Sequence, residues 1–335
     1  MNKTKCFVVI LLIVYALSIT TGCMYKKPTA QHENESDSNL PESNDIQIQP
    51  QDDHKYKIAL CVSHQQNDFI LSFTNSIKKK AEDLGVSLVL YDAQQSIEKQ
   101  AGQIESIIAQ GFDGILVEPV SVSGLSSAFE SAKKANIPIV TSIQRVSNQE
   151  DVAAYVGTDS EEGGYLEMMV CADMLDGKGN IAILYGPMGS DSNIGREKGY
   201  QNVLSEYPDI KIVASQSAYW VRADAFAIVE NWLQLDFEID AIVAQNDDMA
   251  LGALDAIEKA DKLNRIKIFG IDGIPEGLKS IKEGKMVATI SQNVEVIGEQ
   301  SLEVLINILD GKNVEEENVV RHITITMENV EKYLK

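Results

Sequence analysis

The sequence predicts an α/β protein with two doubly wound parallel-sheet lobes. Three observations carry this expectation. From Tyr56 onward, short continuous apolar runs alternate with segments whose apolar residues recur at helical spacing. The runs lack strict in-and-out alternation, as strands do when helices cover both faces of a parallel sheet. The series then starts afresh after Gly157, so two halves of similar build succeed one another.

The first half opens with the run KIALCV, a buried strand. Phe69, Ile70, Phe73, Ile77, Ala81 and Leu84 then mark one face of a helix that Gly85 stops. VSLVLYD is the second strand. Ile97, Ala101, Ile104, Ile107 and Ile108 set a second helix, which ends near Gly111. GILV, a helix over 126–135 and IPIVTS complete this series. The second half has a helix over 161–175, the strand NIAILYG, a helix over 196–206 and the strand IKIVAS. A helix over 223–235, IDAIVAQ, a helix over 249–260, RIKIFGID, a helix over 275–283 and KMVATIS come next. A long helix over 294–310 and the run HITITM close the chain.

The first 22 residues read as a signal peptide: Lys3 and Lys5 precede the apolar CFVVILLIVYALSI, which is short for a membrane span. TTGC resembles a lipoprotein processing site with Cys23 as the lipidated residue, although Thr20 stands where an aliphatic residue is usual. Residues 23–54 are expected to be the lipid anchor and a tether, because a Ser-, Asn-, Gln- and Glu-rich stretch cannot bury enough surface to offset its ordering entropy. The lobes are then expected at 55–158 plus 293–320 and at 159–292 plus 321–335. Of 335 residues 44% are hydrophobic, enough for two full cores, and the formal net charge is −21. Such an acidic surface argues against a nucleic-acid partner. Four cysteines, two of them in the leader region, do not make a disulfide framework; Cys61 and Cys171 fall in apolar runs as core thiols.

Two lobes of this kind share one place for a ligand, where the carboxyl ends of their strands meet. The residues just past each strand are polar or planar: Asn67 and Phe69 after KIALCV, Glu118 after GILV, Gln144 and Arg145 after IPIVTS, Arg196 after NIAILYG. Trp220 comes after IVASQS, Asn246 ends IDAIVAQ, Asp272 ends RIKIFGID and Gln292 ends KMVATIS. Amide, carboxylate and guanidinium forks suit a polyhydroxylated ligand. In AQNDDMALGA, Asn246 reaches the ligand and the Asp247–Asp248 pair caps the next helix. Each residue also has a plainer reading. Asp272 suits a turn start before Gly273, Trp220 a packed surface and Arg196 a solvated helix face.

The segments KIALCVSHQQNDF, ANIPIVT, AQNDDMALGALDAI, IFGIDGIPEGLKSI and VATISQN resemble the ribose-binding protein and its relatives, type I sugar-binding proteins of ABC importers. The resemblance runs from Tyr56 nearly to the C-terminus. It implies a hinged clamshell with crossovers near Thr158 and Asp159, near Gln292 and Asn293, and over 319–322. It also implies that Asn67, Phe69, Arg196, Trp220, Asn246, Asp272 and Gln292 hold the ligand. Three positions depart from it. Ile143 and Gln144 stand where the family has Asp-Arg, with Arg145 one residue late; Glu118 stands where ribose binders have Asn; and Ile70 replaces a second aromatic. Glu118 is expected to supply the missing carboxylate, and the departures point to a different sugar, a polyol or a furanose derivative in place of ribose.

The expected function is a solute-binding lipoprotein, a monomer on the outer face of the cell membrane, that delivers a sugar or polyol to an ABC permease. The alternative is a sensor of the same fold that signals to a membrane histidine kinase or chemoreceptor. GPMGSDSNIG lacks the Lys-Ser/Thr end of a phosphate-cradling loop. His32, His54, His64 and His322 show no metal-ligand spacing, and no nucleophile motif is present, so neither cofactor, metal nor enzymatic activity is expected. A regulator of the lac-repressor family shares the clamshell but would begin with a helix-turn-helix.

Overall fold

The computed structural model describes residues 54–334; the expected signal peptide, Cys23 and all but the last residue of the tether lie outside the described residues. Two six-stranded sheets organise the rest. The first has the order β11-β5-β4-β3-β1-β2, with β1 Lys57–Val62, β2 Ser87–Asp92, β3 Gly114–Val117, β4 Ile139–Ser142, β5 Ala154–Gly157 and β11 Glu317–Val319. The second has the order β12-β10-β9-β8-β6-β7, with β6 Lys178–Tyr185, β7 Asp209–Ser217, β8 Ala241–Ala244, β9 Lys267–Asp272, β10 Ala288–Ser291 and β12 Ile323–Thr326. Every pairing is parallel except β10 with β12. The α/β, doubly wound expectation is met, and in each sheet the order reverses beside the first strand of its half, β1 or β6.

Both faces of the central strands are buried, which is why these strands read as unbroken apolar runs, while the edge strands β2, β7 and β11 are partly exposed. In β1, Ile58, Leu60 and Val62 pack with α1 (Asp68–Leu84) and α9 (Val294–Leu309), while Ala59 and Cys61 pack on the other face with α2 (Ile97–Ala109) and α3 (Ser126–Lys134). In β6, Ala182 and Leu184 face α6 (Arg222–Trp232) and α7 (Asp247–Lys259). Ile181 and Ile183 face α4 (Ser160–Met174) and α5 (Asp191–Glu206). A last helix of the second half, α8, runs Pro275–Lys282 with its proline at the permitted first turn.

The chain passes between the sheets three times: from β5 to α4, from β10 to α9, and from β11 to β12. Asp159 caps α4, accepting from the N–H groups of Glu161 and Glu162. Helix α5 begins at Asp191, five residues ahead of the expected start. Ser190 accepts from Asn193 N–H as its cap, and Gly195 had masked the periodicity. Helices α4 and α5 touch backbone to backbone. A Cβ on Gly164 would come within 2.2 Å of Arg196 O, and one on Gly199 within 2.3 Å of Glu161 O. Among the described residues no helix is long and apolar enough to cross a membrane.

Candidate functional site

A cavity of about 50 Å³ opens where the carboxyl ends of strands from both sheets converge. One water needs ~10–15 Å³ on the same measure, so the space suits a single small ring rather than an oligomer. Nine of the ten residues read from the sequence line it. Asn67, Phe69, Glu118 and Gln144 follow strands of the first sheet, with Phe69 in the first turn of α1; Trp220, Asn246 and Gln292 follow strands of the second, Asp272 ends β9 and Arg196 lies in α5.

Asn67 and Asn246 occupy the same structural position, as N-caps of α1 and α7. Their Oδ1 atoms accept from Ile70 N–H and Met249 N–H, each at 3.0 Å. Each amide nitrogen is therefore left over, two N–H donors beside the cavity. The expected cap by Asp247 and Asp248 is not what forms. Asp247 is fully buried and turned to the next strand, where its Oδ2 accepts from Gly273 and Ile274 N–H at 2.9 and 3.0 Å and its Oδ1 from the Thr289 hydroxyl at 2.7 Å. It holds the turn that presents Asp272.

Asp272 sits at φ 136°, a conformation few side chains adopt, at the end of β9. Its Oδ1 accepts from Gln292 Nε2 at 2.8 Å, and Gln292 Oε1 accepts from the Thr158 hydroxyl at 3.0 Å. A cavity carboxylate is thus linked to the first two crossovers. Burial pushes the Asp272 carboxyl well above the ordinary range; the Arg196 charge and the Gln292 hydrogen bond pull the other way, and Asp247 adds to the rise. Burial likewise raises Asp247 to about 7 and Asp248 to about 6.

Arg196 is 3% exposed. Its Nη1 donates to the Gln245 carbonyl, its guanidinium lies 5.5 Å from the Trp220 ring centroid, and its Nε is buried without a hydrogen-bond partner. Gln245 braces the same wall, its Oε1 accepting from Gly186 N–H and the Asn193 amide at 2.9 and 3.0 Å. Trp220 lies over Gly186 so closely that a Cβ there would meet the ring at 2.0 Å.

On the first wall, Glu118 Oε2 accepts from Ser63 N–H at 2.6 Å and Oε1 from Gln144 Nε2 at 2.9 Å. Gln144 Nε2 also donates to the Pro119 carbonyl at 3.1 Å, which fixes the amide's orientation and leaves Gln144 Oε1 as a free acceptor. Buried Gln100 bridges Glu118 O and Val120 N–H and secures the loop. Arg145 does not line the cavity. Its guanidinium meets Glu317 at 3.0 Å, the Thr158 carbonyl at 3.3 Å and the Tyr155 ring at 4.1 Å. Ile143 at φ 67° turns the chain so that Gln144 points in and Arg145 out.

Ser63, His64, Ile70, Gln95, Val120, Ile143, Pro187, Ser190 and Ser192 also line the cavity. Ser190 caps α5 and Ser192 lies in its first turn, both within the segment GPMGSDSNIG, and Gln95 stands in a turn at φ 63° with no sequence signal. Among the described residues no group of three His, Cys, Asp or Glu side chains is placed to hold a metal ion.

Residues 58–313 match the family model described as a periplasmic binding protein domain. The chain is 37% identical over 269 residues to the xylitol-binding protein of Mycolicibacterium smegmatis, covering 80% of this chain and 76% of that protein. It is 36% identical over 261 residues to the ribose import binding protein of Bacillus subtilis, covering 78% and 84%. Among solved structures, an ABC transporter solute-binding protein of Bacillus halodurans with bound myo-inositol superposes with a TM-score of 0.80 at 31% identity, covering 84% of this chain and 97% of that one.

Proposed function

The chain belongs to the periplasmic binding protein family, of the ribose-binding type, and on that premise we propose that it captures one sugar-like, polyhydroxylated molecule in the cavity and passes it to an ABC permease. The observation that carries this reading is the convergence of amide, carboxylate and guanidinium groups with two aromatic rings from the strand ends, loops and helices of both halves. Phe69 and Trp220 offer flat faces for the C–H side of a ring. Asn67 and Asn246 donate to hydroxyl oxygens, Asp272 and Gln144 Oε1 accept from hydroxyl hydrogens, and Arg196 grips adjacent oxygens. No bond is made or broken, and the reading is of a binding protein rather than an enzyme.

The two walls belong to lobes at 55–158 plus 293–320 and 159–292 plus 321–335, joined by the three crossovers. Only a closed arrangement brings both walls onto the ligand at once, so ligand shifts an open–closed equilibrium toward closure. The closed monomer then docks on the permease. Cys23 anchors the protein by lipid at the extracytoplasmic face, and the tether gives the body its reach. Relatives whose names record xylitol, ribose and myo-inositol support the substrate class.

The test is a thermal melt of the protein, freed of ligand by unfolding and refolding, against pentoses, hexoses, furanose forms, pentitols and inositols. A ligand at 100 times its dissociation constant stabilises by about 2.7 kcal/mol. One clear stabilising compound is expected. A folded sample that responds to none of them would sink the proposal.

A further inference from the structure

Resting on the sugar-binding reading, we propose that the ligand carries a protonated amine and that Glu118 is its counter-charge, so the preferred substrate class is an amino-deoxy sugar or amino-polyol. Glu118 is 2% exposed and lines the cavity, and among the described residues its carboxylate accepts only from the Ser63 N–H and the Gln144 amide. Among the described residues no Lys or Arg nitrogen pairs with it. A carboxylate out of water without a cation is costly unless something supplies the charge.

The nearby candidates for that charge are all accounted for. Arg145 is turned away and pairs with Glu317. His64, beside Glu118 on the same wall, accepts Gln66 N–H on Nδ1 at 3.1 Å, which leaves the proton on Nε2 and the ring neutral. Arg196 stands on the second wall, where its guanidinium donates to the Gln245 carbonyl and lies by the Trp220 ring, and it makes no ion pair with Glu118. The N-termini of α1, α5 and α7 bring partial positive charge, but each carries an aspartate in its first turn: Asp68, Asp191, and Asp247 with Asp248. The first wall therefore holds one uncompensated negative charge, and the protein's overall −21 attracts cations to the same opening.

Glu118 keeps lone pairs beyond the two bonds it accepts, and Gln144 Oε1 is a free acceptor beside it. An ammonium group has three donors and no acceptor, so this pair of oxygens suits it. A hydroxyl at the same place would bond one oxygen and leave the charge unmatched.

The experiment titrates the full chain, freed of ligand, at pH 7 with matched probes by calorimetry. The probes are xylitol with 1-amino-1-deoxyxylitol, myo-inositol with an inosamine, D-ribose with 5-amino-5-deoxyribose, D-glucose with D-glucosamine, and the N-acetyl form of each amine. At least one amine is expected to bind tenfold or more tightly than its hydroxyl partner, with the advantage lost on N-acetylation. Glu118→Gln keeps the shape and is expected to bring the pair toward parity. The acetylated probes on the unsubstituted protein decide the matter even where that variant does not fold. Hydroxyl probes that bind as tightly as the amines, or a Glu118→Gln protein that keeps the preference, would overturn the inference while the sugar-binding reading stands. Binding of neither class would overturn both.

Discussion

Asn246 does two jobs with one side chain, and its two atoms can be separated. Its Oδ1 caps α7, and its amide nitrogen is free beside the cavity. Asn246→Ala loses the cap, at a cost of about 1 kcal/mol in stability, together with the donor. Asn246→Asp keeps the cap oxygen and removes the donor. The expected outcome is a melting temperature near that of the parent protein with clearly weaker ligand binding, read by parallel melts and calorimetry. Equal losses of stability in both variants would show that the cap explanation is wrong. Asp272 gives a second test. Its carboxyl is raised in the folded state, so the folded protein holds a proton that the unfolded chain releases near the ordinary aspartate value. Folding stability therefore falls as pH rises above that value. Asp272→Asn removes this penalty: the ligand-free variant should melt higher than the parent at pH 8, with the gain shrinking toward pH 4. Ligand affinity should fall by about 2- to 13-fold, the worth of one hydrogen bond between neutral groups. A variant that melts lower at pH 8 would contradict the reading.

The α4–α5 pair positions Arg196 by contact of bare backbones. Gly199→Ala would put a methyl 2.3 Å from Glu161 O and 2.4 Å from Tyr165 N, neither of which is a flexible chain end. A loss of about 1–3 kcal/mol is expected, as for other overpacked contacts. Ligand affinity should fall as well, because the displaced helix carries the guanidinium. Gly102 is the control. It is exposed within α2, and a Cβ there meets nothing within 4 Å. Gly102→Ala should stabilise by about 0.5–1 kcal/mol through helix propensity alone. Denaturant melts of the two variants check both signs, and a stabilising Gly199→Ala would refute the packing argument.

Across the molecule, the pH dependence of stability is governed by buried acids of the second half. Burial raises Glu167 to about 8, Asp247 to about 7 and Asp248 to about 6, and Asp272 is raised too. Each holds its proton more tightly folded than unfolded, so stability is greatest below the unfolded carboxyl values and is lost as pH rises through the folded ones. The ligand-free protein should therefore melt at higher temperature at pH 5 than at pH 8, and relief of the −21 self-repulsion acts in the same direction. Asp310, lowered to about 2 by Lys55 and Tyr56, opposes this only below about pH 4. A flat or reversed profile between pH 5 and 8 would mean that these acids are solvated in solution.

Much of this protein was legible in its sequence because the signals are local. Buried parallel strands need unbroken apolar runs, and amphipathic helices need a 3.6-residue period, so the class and order of elements could be read from KIALCV onward. Polar residues just past strand ends marked nine cavity residues, because the doubly wound fold exposes those ends. Tertiary structure decided what depends on direction. A left-handed Ile143 sends Gln144 inward and Arg145 toward Glu317. Within QNDD, Asn246 caps and lines the cavity while Gln245 and Asp247 brace neighbouring loops, roles that composition cannot assign among adjacent amides and acids. The pairing that leaves Glu118 without a cation likewise arises only in three dimensions, since Arg145 lies 27 positions away along the chain and is placed by a single backbone turn.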